Sequence, residues 1–136
     1  MLKIYSDAAV SPKEQLTGTG LIIVGRDVYK QLSFPLPFTE DNHLAELQAF
    51  KFAVDWPISN DRKEEWVIFH TDSQLVADSI EKNYIKNEKY KAVFQSIIVS
   101  LNSLSFYEVK RIPEKENKGA DNMAKQALAK QRKGRK

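Results

Sequence analysis

Apolar residues follow two different periods along the chain, and the alternation between the two predicts an α/β fold. Short apolar or alternating runs indicate strands at residues 2–6, 17–24, 28–34, 66–69 and 105–111. Apolar positions at helical spacing predict helices at residues 42–56, 74–83, 90–101 and 120–128. Three strands come first, and the later strands alternate with helices. We therefore expect a five-stranded mixed sheet, with three antiparallel strands followed by parallel ones, flanked by helices.

Prolines and turn residues set the expected ends of these elements. Gly25, Arg26 and Asp27 form a plausible hairpin turn between the second and third strands. Pro35 should end the third strand, and Pro57 should end the first helix. The run from Trp66 to Phe69 should be a central strand that stops at His70, and Trp66 should lie in the core.

Composition fits one globular domain without cysteine chemistry. The chain has 136 residues, of which 42% are hydrophobic, and it has no cysteine. Such a length supports a single core, which we place at residues 1–130. With two histidines and no thiolate, a metal site would need mostly oxygen ligands, which suits hard cations such as Mg²⁺. No signal segment or apolar run of membrane-spanning length is present, so we expect a cytoplasmic monomer without a membrane partner.

Charge is distributed unevenly along the chain. The net charge is +3, but residues 1–106 carry 11 basic and 14 acidic side chains, whereas residues 107–136 carry 10 and 4. This asymmetry favours a polyanionic partner such as nucleic acid. A solvated basic end is the alternative interpretation. Residues 131–136 are rich in basic side chains, and we expect them to be a disordered tail.

Four acids stand near the predicted junctions of strands and helices. Asp7 follows the first strand, Asp72 follows the central strand, and Asp121 opens the last helix. Glu46 lies on the sheet side of the first helix, one turn before Phe50. Right-handed crossovers bring the carboxyl ends of parallel strands to one edge, so the four acids could converge there. They could equally be ordinary caps and surface acids.

Converging carboxylates repel one another unless they are protonated or bridged by divalent cations. Two such cations could stabilise the attacking and leaving oxygens of a phosphoryl displacement. If the four acids converge, they would form such a metal site; as ordinary caps and surface acids they would not.

The segments around these acids resemble a known family. Ser6-Asp7-Ala8, Ala45-Glu46-Leu47, Thr71-Asp72-Ser73-Gln74 and the segment from Asn117 to Ala124 are similar, in order and spacing, to the four acidic motifs of type 1 ribonuclease H. The resemblance covers residues 1–130. It implies an endonuclease that hydrolyses the RNA strand of RNA/DNA hybrids with two Mg²⁺ or Mn²⁺ ions. The catalytic metal ligands it implies are Asp7, Glu46, Asp72 and Asp121.

The resemblance also implies substrate-binding residues. Asn42 matches a family position that contacts ribose 2′-hydroxyls, and Gln74 matches one that contacts the substrate backbone or bases. An amide can donate and accept at once, which suits both roles. Asn117 and Arg111 complete the expected substrate-binding set.

Two departures from the family change the expectation. Longer members carry a histidine in the loop before the last acid, but residues 111–118 contain none and begin with Arg111. A guanidinium can hold a phosphate but cannot shuttle a proton near neutral pH, so we expect slower turnover. The basic protrusion of longer members is replaced by the short segment 82–91.

Two alternatives remain beside the nuclease. One is an RNA- or hybrid-binding protein of the same fold with little or no cleavage activity, which the missing histidine favours. The other is a nuclease of the wider superfamily that acts on structured DNA.

Overall fold

A computed structural model describes residues 1–134 as one five-stranded sheet with helices on both faces. The strands are β1 (Leu2–Ser11), β2 (Leu16–Gly25), β3 (Tyr29–Leu36), β4 (Trp66–Thr71) and β5 (Phe106–Arg111). The α-helices are α1 (Asn42–Ser59), α2 (Gln74–Lys82), α3 (Lys91–Asn102) and α4 (Lys118–Lys133). Two 3₁₀ turns, Glu88–Tyr90 and Glu114–Glu116, precede α3 and α4.

The order of the strands is β3-β2-β1-β4-β5. Strands β1, β2 and β3 pair antiparallel, while β4 pairs parallel to both β1 and β5. This confirms the predicted mixed sheet. The parallel strands are joined through helices, as such crossovers require.

Alternation along the strands divides the apolar side chains between two layers. Leu21 and Ile23 face the main core beneath α1 and α3, whereas Ile22 faces a smaller cluster beneath α4. Helix α4 lies over β1, β2 and β3. At the other end of the sheet Trp66 is 52% exposed, so its predicted place in the core is wrong.

Pairing carries three elements beyond their predicted ends. Strand β1 continues to Ser11 because its last residue still pairs with Leu16 of β2, so Asp7 lies within the strand and not at its end. Strand β4 extends to Thr71, and its last two residues are buried. Strand β3 passes through Pro35, which an edge strand tolerates because no neighbouring strand needs its N–H.

Two helix ends also differ from the expectation. Helix α1 runs through the buried Pro57 to Ser59, since a proline in the last turn costs one hydrogen bond and the chain caps itself at Asn60. Helix α4 continues to Lys133, so the prediction of disorder is wrong for residues 131–133. Gln131 Nε2 donates to the Thr17 carbonyl at 2.9 Å and holds this turn against β2. The rest of the predicted tail beyond Gly134 lies outside the described residues.

Within residues 1–134, we find no helix with the length and apolar character needed to cross a membrane.

The contact between α4 and the sheet is close enough to require glycine. A Cβ placed on Gly20 would lie 2.2 Å from the Ala120 carbonyl oxygen and 2.3 Å from the Ala124 nitrogen. Both atoms belong to the helix backbone and cannot move without displacing α4. Glycine at this position therefore sets the separation between the helix and the sheet.

We predict that Gly20→Ala lowers the free energy of unfolding by about 2–3 kcal/mol, because α4 must move away from β2. Urea denaturation followed by circular dichroism measures the change. Gly134→Ala is the matched control, since the nearest atom to its added Cβ is the Gln131 carbonyl oxygen at 3.5 Å. A Gly20→Ala variant as stable as Gly134→Ala would contradict the close-packing argument.

Candidate active site

The candidate site forms where the parallel ladder of β1 and β4 ends. The last pair of that ladder joins Ser6 to Thr71, and Asp7 and Asp72 are the next residues along the chain, Asp7 within β1 and Asp72 just after β4. Their carboxylates therefore leave adjacent chains at one place on the sheet edge. Open α/β sheets bind ligands at this end.

Glu46 reaches the same place from α1. It lies in the second turn of the helix. The side chain of Asp41 caps the start of this helix by accepting from the backbone N–H groups of His43 and Leu44. One oxygen atom from each of Asp7, Glu46 and Asp72 lies within 4.8 Å of the other two. The structure thus gathers three of the four predicted acids.

The backbone of Ala8 connects two of these carboxylates. Its N–H donates to Asp7 Oδ1 at 2.9 Å and to Glu46 Oε1 at 3.2 Å. The second oxygen of Glu46, Oε2, is buried and has no hydrogen-bond partner within the described part of the chain. A bound cation would satisfy a buried, unpartnered carboxylate oxygen on an acid of this cluster.

Asp72 is held from the opposite side by Asn117. The side-chain Nδ2 of Asn117 donates to Asp72 Oδ2 at 3.1 Å and to the Ser6 carbonyl at 2.9 Å. Asn117 is 1% exposed. Its position between the two strands fixes the carboxylate of Asp72 relative to β1.

Asp121 lies near this group but outside it. Its Oδ2 forms an ion pair with Lys125 Nζ at 2.9 Å, one turn along α4. Its charge nevertheless contributes to raising the pKa of Asp7, so the two carboxylates are electrostatically coupled. Three of the four acids therefore converge as predicted, and Asp121 lies outside their group.

Burial and mutual repulsion change the acidity of the cluster. Burial, with the charges of Asp72 and Asp121, raises the pKa of Asp7 from its ordinary 3.8 to about 7, although hydrogen bonds from Glu46 and Ala8 lower it. Burial and the neighbouring charge of Asp7 raise the pKa of Glu46 well above its ordinary value. A bound cation would favour the ionised form of these carboxyl groups. Because all their ligand atoms are oxygens, the group suits a divalent cation of the Mg²⁺ class.

The other predicted site residues lie around the acids. Asn42 is exposed at the first position of α1, one helical turn before Glu46. Gln74 opens α2 and donates from Nε2 to Asp78 Oδ1 at 2.7 Å. Arg111 is exposed at the end of β5, opposite Thr71, and lines one groove together with Gln74.

Asp41 has a role that the sequence analysis did not identify. Its carboxylate accepts from the backbone N–H groups of His43 and Leu44 and from the Tyr90 hydroxyl, at 2.8–3.1 Å, and it pairs with Lys89. Burial raises the pKa of Asp41, but these hydrogen bonds outweigh that effect and hold the pKa at about 2. The start of α1, where Asn42 lies, is thereby tied to the segment before α3. Tyr90 follows the apolar helical spacing, so no sequence signal distinguished it from a core residue.

We predict that the metal-free protein loses stability as the pH rises from 5 to 8. The pKa of Asp7 is about 7 in the folded state and about 4 in the unfolded chain, so the folded state binds the extra proton. The stabilisation is complete below the unfolded pKa and is lost as the pH passes through the folded pKa. The expected decrease in unfolding free energy is about 2–3 kcal/mol, measured by denaturation in the presence of a chelator.

The Asp7→Asn variant is the matched comparison, because its side chain cannot ionise. We expect this variant to be more stable than the wild type at pH 8 and to show a shallower dependence on pH. Equal slopes for the two proteins would show that Asp7 does not titrate in this range.

Comparison of the sequence with known proteins identifies a family. A model of the RNase H family matches residues 1–129. A protein of Enterococcus faecalis named "Putative hydrolase EbsB" is 35% identical over 130 residues, which is 96% of each chain.

Solved structures agree at the level of the fold. RNase H1 from Halobacterium salinarum superimposes with a TM-score of 0.82 at 20% identity, covering 95% of this chain and 98% of that one. The structure of LC11-RNase H1 in complex with an RNA/DNA hybrid gives a TM-score of 0.82 at 22% identity, covering 96% and 98%. Together with the carboxylate cluster, the match over residues 1–129 shows that this chain belongs to the RNase H family of hydrolases.

Proposed function

We propose that the protein is a metal-dependent endonuclease that hydrolyses the RNA strand of RNA/DNA hybrids. The observation that carries the proposal is the cluster of Asp7, Glu46 and Asp72, with oxygens within 4.8 Å of one another at the carboxyl edge of the sheet. The family assignment supports hydrolysis as the reaction. The bound substrate of LC11-RNase H1 supports an RNA/DNA hybrid as the partner.

The three carboxylates would hold two ions, Mg²⁺ or Mn²⁺, with Asp121 as the fourth ligand. Once bound, the ions would supply the positive charge that activates a water molecule and stabilises the leaving oxygen. The chain contributes fixed ligand positions, because Ala8 orients Asp7 and Glu46 while Asn117 orients Asp72. The positive charge of bound ions would also offset the burial and the repulsion that raise the pKa of Asp7.

Asp121 needs a small rearrangement to join the ligands. The ion pair that holds it is formed with Lys125, whose side chain is 66% exposed. Exposed pairs of this kind contribute little stability, because water screens the charges and the lysine gains freedom when the pair opens. Rotation of the Asp121 side chain toward the cluster is therefore easily reached once cations offset the charge of Asp7.

The proposed substrate contacts surround the acids. Asn42 presents an amide beside Glu46 at the start of α1, which suits recognition of a ribose 2′-hydroxyl. Arg111 and Gln74 line a groove on the α2 side, and a guanidinium there suits a backbone phosphate. We therefore assign Asn42 to distinguishing RNA from DNA and the other two residues to holding the strand.

Asn117 has a different role in this proposal from the one expected from the sequence. Its amide donors are engaged by Ser6 and Asp72, and its side chain is buried. We assign it to positioning Asp72, not to contacting the substrate.

A binding protein with little cleavage is the second candidate function, and the absence of histidine from residues 111–118 favours it. Arg111 cannot exchange protons near neutral pH, so the leaving group must take its proton from solvent. This lowers turnover without removing the ligands of the cations. The gathered acids support the nuclease over the binding protein.

We predict that Mg²⁺ or Mn²⁺ supports cleavage of the RNA strand in a uniform hybrid, and that Asp7→Asn lowers the rate by at least about 100-fold, because even residues that only support a metal ligand are worth 10–100-fold. Denaturing gels with end-labelled hybrid, duplex RNA and duplex DNA measure the rates. Asp61→Asn is the matched control, since Asp61 is an exposed acid on the loop after α1.

Each alternative function has its own outcome in this assay. Tight hybrid binding without metal-dependent cleavage would replace the nuclease with the binding protein. Preferred cleavage of duplex or branched DNA would replace it with a nuclease of different specificity.

We also predict that Asn117→Ala raises the Mg²⁺ concentration needed for half-maximal cleavage by about 10–100-fold, because Asp72 loses the donor that orients it. The rate at saturating Mg²⁺ should recover much of the wild-type value. A lower rate with an unchanged Mg²⁺ dependence would instead assign Asn117 to the substrate.

A further inference from the structure

Strand β5 forms one edge of the sheet, and within residues 1–134 no other strand pairs with its outer side. The Ile112 N–H donates to the Thr71 carbonyl of β4 at 2.9 Å. Backbone groups alternate in direction along a strand, so every second residue before Ile112 also faces β4. The outward N–H and C=O groups are those of Tyr107, Val109 and Arg111.

This edge is apolar and exposed at one end. Phe106 is 66% exposed, Tyr107 is 41% exposed, and the adjacent Trp66 is 52% exposed. With Leu104, Ser105 and Glu108 they line a groove of about 730 Å³. An edge with free backbone groups and exposed aromatic residues is a template for another strand.

The side chains of the edge are complementary to those of a second copy running in the opposite direction. The segment Phe106-Tyr107-Glu108-Val109-Lys110-Arg111-Ile112 has an acid and a base at equal distances from Val109. We propose that two copies of this chain associate by antiparallel pairing of their β5 strands about a twofold axis at Val109. The two sheets then form one continuous ten-stranded sheet.

The backbone allows few registers, and only an axis at Val109 places Glu108 opposite Lys110. Residues whose backbone groups face outward must lie opposite each other in the two copies. The twofold axis therefore passes through a residue of β5 and not between two neighbouring residues. An axis at Glu108 would oppose two glutamates, and an axis at Lys110 would oppose two lysines. The axis at Val109 places Glu108 opposite Lys110 of the partner subunit, twice by symmetry.

The closest side-chain approach falls on these complementary pairs. Glu108 and Lys110 do not direct their backbone groups outward, so they form non-hydrogen-bonded pairs, in which opposing side chains are nearest. On the same face Phe106 meets Ile112 of the partner subunit. The exposed groove beside Phe106 thereby receives an apolar occupant.

The opposite face of the strand is complementary as well. Tyr107 lies opposite Arg111 of the partner subunit, an aromatic ring facing a guanidinium. The groove beside Tyr107 is also lined by Asp78 and Glu81 of α2, whose carboxylates favour an incoming cation. Both faces of β5 thus fit the same register.

Lysine on an edge strand usually keeps other strands away. Here Lys110 Nζ lies 3.9 Å from the Glu108 carboxylate of its own strand. The side chains on this face of β5, Phe106, Glu108 and Lys110, therefore carry one charge of each sign and are neutral together. A single pair of short strands buries little surface, and we infer a weak, concentration-dependent dimer. This proposal differs from the sequence-based expectation of a monomer, and the experiment below decides between them.

Sedimentation velocity of the full chain from about 10 μM to about 1 mM tests the proposal. We expect the mass to rise with concentration from 15.6 kDa toward twice that value. Glu108→Lys and Lys110→Glu each place like charges opposite one another at two symmetric positions. Each variant alone should weaken association by about tenfold or more.

An equimolar mixture of the two single variants is the decisive sample. In the heterodimer one chain has lysine at positions 108 and 110 and the other has glutamate at both. Every lysine therefore lies opposite a glutamate again, although neither chain has the wild-type charges. We expect the mixture to associate as the wild type does, and the double variant Glu108→Lys, Lys110→Glu to do so by itself.

Loss of association in the single variants with recovery in the mixture would support the β5 interface. A wild type that stays at 15.6 kDa over the whole range would overturn it. A dimer that is insensitive to the single variants, or a mixture that does not recover, would also overturn it.

Discussion

Crowding of three carboxylates, one buried and two partly buried, is the constraint around which this structure is built. Asp7, Glu46 and Asp72 approach one another closely, and burial together with the charges of the two aspartates raises the pKa of Glu46. A flexible site would relax by moving these side chains into water. Here Asp7 lies on β1, Asp72 directly follows the adjacent β4, and Glu46 lies on a helix packed on the main core, so the fold fixes the three backbones close together. The stability of the domain is therefore what holds the acids ready for cations.

Much of this arrangement follows from the sequence, since the order of strands and helices and the segments that carry the acids were predicted from local patterns. The ends of the elements were less predictable because tertiary pairing sets them. Ser11 is in β1 only because Leu16 of β2 lies opposite, and Pro35 is tolerated only because β3 is an edge. The position of Asp121 was also unpredictable, since its carboxylate forms an ion pair with Lys125 one turn along α4 and lies outside the group of three acids.

The contacts that orient the acids were the hardest to foresee. Asn117 is 45 residues from Asp72 and 111 from Ser6, and its bonds to both depend on how α4 approaches the sheet. Tyr90 is 49 residues from Asp41 and occupies an apolar position of the sequence pattern. Neither contact has a local signature. Motifs identified the groups suited to the chemistry, but only the packed structure shows what fixes their positions.

The site lies at the edge of the sheet, between the helices that cover its two faces. The geometry of the site therefore depends on helix packing on both faces of the sheet. Glu46 comes from α1 on one face, while Asn117 caps α4 on the other. Because α4 approaches β2 over Gly18 and Gly20, the depth to which Asn117 reaches between β1 and β4 depends on glycine at these positions. The orientation of Asp72 is thus controlled by helix docking on the far side of the sheet from Glu46. The same helix covers β1, β2 and β3, and the sheet beyond them keeps Trp66 and Phe106 exposed. One packing choice therefore orders the acids at the carboxyl edge and leaves the last strand available to a partner.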